Sequence, residues 1–375
     1  MQRLPQLDII RGFAVLGILL MNIFAFAYPI DYAHSLIWHE AGVSLVDTSL
    51  YNLQTLLISG RFLTLFNLLF GISMWLILQQ YGQGYLQRRL YWLCLFGLVH
   101  GVFLWSGDIL LWYALAGLIV LKQGYLQLDS SDLWRKAVRF FAYGLIMPLF
   151  YMVYLLWAQT EPLEALTAET LAAQQQLWTG SYLEQLIQNA IYAVLMLIAF
   201  ALTWYWLMAA IMLFGVSLYK SAWFDTGYST AMTKTLFWLA FVISSVTVLL
   251  DHVSGYGYGL NTALPWEQLA MLLMALSFAS VLIHRRDNAW LQRWLAPCGR
   301  MAFSLYIGQT LLMVLLFRVI RPDWFASLDR TALLGIASSM ILLQLLCCRW
   351  YFSHFNQGPL EWCWRVLSKK PATTG

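Results

Sequence analysis

Apolar residues gather into about ten stretches near residues 9–28, 61–80, 89–106, 108–122, 136–157, 190–218, 233–251, 265–284, 299–318 and 331–352. Each approaches the roughly 20 residues a helix needs to cross a ~30 Å hydrocarbon core, and only the fourth is clearly short. The pattern predicts an all-α fold, a polytopic transmembrane bundle of about ten spans.

The polar gaps between these stretches alternate in charge. Arg3, Arg11, Arg88, Arg89, Lys122, Arg135, Lys136, Arg139, Lys220, Lys234, Arg285, Arg286, Arg293, Arg300, Arg349, Arg365, Lys369 and Lys370 fall in one set of gaps. Arg61, Arg318, Arg321 and Arg330 fall in the other, which divides the 22 basic residues 18 to 4. The basic side is the expected cytoplasmic one, with both termini on it. Asp31, Glu40, Asp47, Asp108, Glu161, Glu164, Glu169, Asp251 and Glu267 lean the opposite way.

Composition agrees: 61% of the 375 residues are hydrophobic and 11% are charged, too apolar for a soluble domain of this length. The net charge of +4 reports topology and gives no reason to expect nucleic acid. None of the five cysteines forms a CxxC pair, so neither a disulfide framework nor a metal site is expected. Ala25-Phe26-Ala27 resembles a signal-peptidase site, but Asp8 before it and Pro29 after it argue for a permanent first helix. We expect one integral membrane domain over 1–375: five spans with the candidate core in 1–157, an outer loop at 158–189, and five spans with a cytoplasmic tail in 190–375. Ser49 to Leu57 reads as an interfacial helix, and 158–189 as including an amphipathic one.

Function must then reside in the polar side chains that a bilayer should exclude. His100 lies eleven residues after Arg89, about 16 Å along a helix, between Gly97 and Gly101, whose spacing lets another helix approach. It is either a histidine bonded to a facing helix or a general base or acyl carrier. Asp108, eight residues on in an outer turn, caps the next helix or orients His100 or an acceptor. Contact between the two needs the turn to fold Asp108 back over the helix end. Asp8 and Arg11 can pair at i, i+3, or Arg11 can offer a fork to phosphate. Asn22 needs a partner on a neighbouring helix. His34 and His39 stand in the outer loop, without the spacing of a metal site. Arg61 is a snorkelling anchor or a binder of an anionic acceptor. Arg285, Arg286, Arg293 and Arg300 set topology and touch anionic lipid, or hold the phosphates of a nucleotide-bearing cofactor.

Several strings resemble the YeiB family of bacterial membrane proteins. They are Leu7-Asp8-Ile9-Ile10-Arg11-Gly12 through Met21-Asn22, Phe62-Leu63-Thr64-Leu65-Phe66 with Phe70-Gly71, and His100-Gly101 followed by Gly107-Asp108-Ile109-Leu110. Gly299-Arg300-Met301-Ala302 with Tyr306 and Gln309 adds to them, and the tail Gly358-Pro359-Leu360-Glu361-Trp362-Cys363-Trp364-Arg365 is the most distinctive. The opening motif in turn resembles that of the transmembrane acyltransferases, the superfamily that includes the lysosomal heparan glucosaminide acetyltransferase. That resemblance implies a bacterial inner-membrane enzyme taking an acyl group from cytoplasmic acyl-CoA to a small-molecule or envelope-glycan acceptor outside. It implies no metal. Asn22 and His34 stand where the lysosomal enzyme has its span-end asparagine and catalytic histidine. The loop around His34 lacks the accompanying Trp-Asn-Gly, which leaves His100 the first candidate. A transporter or flippase using the same polar residues as a substrate path is the rival reading. The sequence leaves the oligomeric state open.

Overall fold

The computed structural model describes residues 4–36, 44–158, 167–254 and 264–369. The described residues are helical and connecting segments, with no strand among them. Among the described residues, eight helices are long and apolar enough to cross a membrane, and Leu110–Lys122 is a shorter apolar one. The ten expected stretches all fall on helix.

Helix α1 (Pro5–Ala27) opens with proline in its first turn, where the missing N–H costs nothing. It is the central helix: its most apolar stretch is 78% buried, against 22% and 28% for the peripheral helices Thr230–Val253 and Arg330–His354. After α2 (Leu45–Leu57) comes α3 (Arg61–Phe103), which covers both the second and third expected stretches. Gly82 reverses the chain between them with φ 77° and ψ 173°, a region open to glycine and costly to other residues. Arg61 at one end of α3 therefore meets Glu267, and Phe103 at the other accepts from Tyr182, while Arg89 in the middle stacks on Trp364 of the tail.

Short α4 (Leu110–Lys122) precedes α5 (Ser130–Gly144) and α6 (Ile146–Ala158), which divide the fifth stretch at Leu145, with Pro148 in the first turn of α6. Helix α7 (Ala168–Thr179), capped by Thr167, lies within the 158–189 segment. Helix α8 (Tyr182–Ala199) begins eight residues before the expected span at 190. Its first turns carry Glu184, Gln185, Gln188 and Asn189, which mask the helix from an apolar reading, yet Gln185 and Asn189 are buried. Asn189 donates to the Val102 carbonyl of α3 at 3.1 Å. A π-helical segment, Phe200–Trp204, joins α8 to α9 (Tyr205–Lys220).

A single turn, α10 (Trp223–Thr226), leads to α11 (Thr230–Val253), capped by Ser229, and α12 (Pro265–His284). Helix α13 (Ala289–Arg300) breaks at Met301 before α14 (Ala302–Leu315), and α15 (Arg330–His354), capped by Asp329, precedes the tail helix α16 (Pro359–Leu367). Large apolar side chains face outward on α8, α11 and α15, as in Ile198, Val242, Leu249 and Leu342, each between 58% and 60% exposed. Such a face suits hydrocarbon and not water.

Glycine sets the closest crossing. A Cβ on Gly12 would stand 2.0 Å from the Leu295 carbonyl oxygen, and one on Gly299 would stand 1.8 Å from that of Asp8. Backbone meets backbone here, so no side-chain motion can make room. The tail is fastened equally firmly. Glu361 accepts from the backbone N–H of Phe303 (2.8 Å) and Ser304 (3.2 Å) and from the Ser304 hydroxyl (2.5 Å), capping α14 from a distant helix. The Trp364 indole N–H donates to the Arg89 carbonyl at 2.8 Å, and Arg88 Nε donates to that of Ser368 at 2.9 Å.

Candidate functional site

The end of α3 and the start of α4 bring His100 and Asp108 together. The backbone N–H groups of Leu104 and Trp105 both donate to the His100 carbonyl at 3.0 Å, which ends the helix and turns the chain. Asp108 then folds back: its Oδ1 lies 2.8 Å from His100 Nδ1, and its Oδ2 accepts from the Leu111 N–H at 2.8 Å. One carboxylate thus serves both as helix cap and as partner of the histidine. Gly97 makes this possible, since a Cβ there would lie 2.2 Å from the Leu111 nitrogen and 2.9 Å from Asp108 Oδ2.

The two side chains are buried, at 1% and 3% exposure. Beside an ionised carboxylate, which only accepts, a neutral imidazole carries its proton on Nδ1 and offers its lone pair at Nε2. Nε2 is buried and has no hydrogen-bond partner among the described residues. A buried acceptor without a partner is costly. Tyr306 of α14 closes one side, its ring centroid 5.2 Å from that of His100 and its hydroxyl accepting from the Ile109 N–H at 3.3 Å.

The other expected residues lie elsewhere. Asn22 is buried on α1, where its neighbours Leu19, Ile23 and Phe26 share an apolar cluster with Trp105 of the His100 turn. His34 belongs to a separate cluster around Arg330, which is fully buried. Arg330 donates to Gln54 Oε1 (2.9 Å) and to the Ser35 carbonyl (2.8 Å), between the rings of Phe24 and Tyr51. Tyr51 donates to Asp251 and to the His34 carbonyl, each at 3.0 Å. Burial, aided by the Arg330 charge, holds the His34 imidazole down to about 4. Folded His34 takes its proton only near that pH, whereas the unfolded chain takes it near 6.5, so acidification through this window favours unfolding. The thermal midpoint is therefore expected to fall between pH 6.5 and 4, and less steeply in His34→Gln. Equal slopes for the two proteins would show that His34 stays solvated. His39 lies outside the described residues.

The expected arginines Arg11, Arg61, Arg285, Arg286 and Arg300 meet different surroundings. Arg61 is neither a snorkelling anchor nor open to an acceptor in this structure. It is fully buried, with Nη2 2.5 Å from Glu267 Oε1 and further bonds to the Ser59 carbonyl and the Ser244 hydroxyl. Apart from its pair with Asp8 at 3.0 Å, Arg11 spends its fork on the Ser73 hydroxyl (3.1 Å) and the Gly299 carbonyl (3.4 Å), fastening α1 to α3 and α13. The run from Arg285 to Arg300 does not act as one group. Arg285 is exposed, Arg286 donates to the Asp225 carbonyl, and Arg300 donates to that of Asn356 at 2.8 Å. Nothing in the sequence signals that Glu267 or Gln54 would meet distant arginines, because each partner lies more than 200 residues away. No group of three or more potential metal ligands occurs among the described residues.

The chain is 30% identical over 383 residues to the uncharacterized protein YeiB of Escherichia coli strain K12, across 99% of this chain and 98% of the relative. The chain belongs to the YeiB family. The uncharacterized protein YxaH of Bacillus subtilis strain 168 is 25% identical over 97% of this chain and 94% of its own length. Residues 218–371 match the family described as "Protein of unknown function (DUF418)". That segment holds Tyr306, Glu361 and the tail but not His100 or Asp108. No solved structure matches the chain. This YeiB-family member is thus a polytopic helical membrane protein with a buried histidine–carboxylate pair.

Proposed function

We propose that this protein transfers an acyl group across a bacterial inner membrane, from acyl-CoA at the basic, cytoplasmic end to an acceptor at the other, with both termini inside. The observation that carries this reading is His100 Nε2, a buried lone pair whose ring is fixed by Asp108. An acceptor hydroxyl or amine gives its proton to Nε2 as its heteroatom attacks the thioester carbonyl. The new C–O or C–N bond forms, the C–S bond breaks, and the leaving thiolate takes the proton back from the imidazolium. Asp108 stabilises that imidazolium throughout. Asn22 is the candidate donor to the carbonyl oxygen, and the phosphates of the co-substrate meet the arginines of the basic end. Arg61, being buried against Glu267, has no direct part in this scheme.

Purified protein in vesicles, given isotope-labelled acetyl-CoA and an extract of envelope glycans, tests the reading. Release of free thiol with label entering the glycan fraction, both absent from protein-free vesicles, is expected. If neither acetyl-CoA nor longer acyl-CoAs release thiol from folded protein, the reading fails and transport without covalent chemistry takes its place.

A further inference from the structure

The tail builds a second site that the charge pattern alone does not reveal. A cavity of about 170 Å³ lies between α3, α13 and α16, lined by Arg89, Arg300, Asn356, Gln357, Glu361 and Arg365. One water needs only roughly 10–15 Å³, so this space has room for several waters or a polyatomic anion. Three guanidinium groups line it against a single carboxylate. That carboxylate, Glu361, is committed to the first turn of α14 through Phe303 and Ser304.

Two of the three arginines are held by one face. Arg89 stacks on the Trp364 ring at 3.7 Å, and its buried Nε has no hydrogen-bond partner among the described residues. Arg300 lies over the Phe352 ring at 3.9 Å while donating to the Asn356 carbonyl. Arg365 is exposed on the tail helix. Pre-oriented guanidinium forks of this kind match the oxygens of phosphate, and the amides of Asn356 and Gln357 add neutral donors at the rim.

The site is also aligned with the histidine. Arg89 and His100 are eleven residues apart on one helical run, about 16 Å in rise. At 100° per residue, three turns and a fraction bring them back to the same face. A phosphate anchored at Arg89 thus lies on the His100 side of α3, at the distance a long thioester arm would bridge.

We propose that this cavity is a phosphate site, and that its ligand is the phosphate-bearing end of acyl-CoA. The assignment of the ligand rests on the acyl-transfer reading, whereas the phosphate site does not. Calorimetry on the full chain in zwitterionic nanodiscs tests both, with CoA, 3′-dephospho-CoA, inorganic pyrophosphate and phosphatidylglycerol vesicles as probes. CoA is expected to bind saturably, pyrophosphate to compete, and Arg365→Gln and Arg300→Gln each to weaken CoA by roughly tenfold to a hundredfold. Arg365→Gln is the safer variant because the side chain is exposed. CoA binding indifferent to both arginine variants would overturn the cavity assignment while sparing acyl transfer. No CoA binding, with pyrophosphate or vesicle binding that both variants weaken, would keep the phosphate site and overturn acyl-CoA as its ligand; vesicles alone would mark a lipid headgroup. Failure of every probe to bind would overturn the proposal outright.

Discussion

Replacing Glu267 with alanine is expected to destabilise the protein by about 3–5 kcal/mol, the cost of stranding a buried charge by removing its partner. Arg61 has no exposed surface, and its guanidinium is matched by Glu267 together with the Ser244 hydroxyl. Glu267 is itself met by Ser244 at 3.0 Å and Thr247 at 2.9 Å, and Trp266 donates to Thr247 at 3.1 Å. The network ties α3, α11 and α12 together at one end of the bundle. Loss of the carboxylate leaves the arginine neither water nor a counter-charge, and the two hydroxyls lose their acceptor. The double variant Arg61→Met with Glu267→Leu should recover most of the loss, because apolar pairs of similar volume commonly replace buried ion pairs without cost. Thermal midpoints in one detergent would show the pattern. A single variant as stable as the parent would mean that water reaches Arg61.

That pair also marks where sequence reading stops. An arginine before an apolar stretch looks the same whether it snorkels to the surface or turns inward. The difference lies in Glu267, 206 positions along the chain, and nothing local announces it. The apolar stretches themselves were legible because each follows from composition over a single helix, and the bilayer requirement acts on each one alone. Helix α8 began earlier than its apolar stretch because Gln185 and Asn189 point into protein, where the Asn189 amide finds the Val102 carbonyl. The His100–Asp108 contact was half legible, since eight residues and a Ser106-Gly107 turn limit where Asp108 can go. The tail cavity was not, because Arg89, Arg300 and Arg365 come from three distant segments whose meeting depends on Trp364 and Glu361.

Two functions meet in Asp108, and substitution can separate them. Asp108→Ala removes the acceptor for the Leu111 N–H along with the partner of His100, so it should lose about 1 kcal/mol of stability as well as activity. Asp108→Asn keeps an oxygen able to cap α4, asparagine being as good a cap as aspartate. It removes the charge that stabilises the imidazolium and allows the amide N–H to meet Nδ1, which would favour the wrong tautomer. Acyl transfer is therefore expected to fall by about 10²–10⁴ in Asp108→Asn with the thermal midpoint held. His100→Ala should fall at least as far, and the double variant should lose little beyond His100→Ala because the two act as one unit. Label transfer to the glycan fraction, measured beside thermal midpoints, distinguishes the outcomes. If Asp108→Asn retains full transfer, Asp108 is a helix cap alone and His100 works without a charged partner. If His100→Ala also retains it, the base lies elsewhere in the bundle.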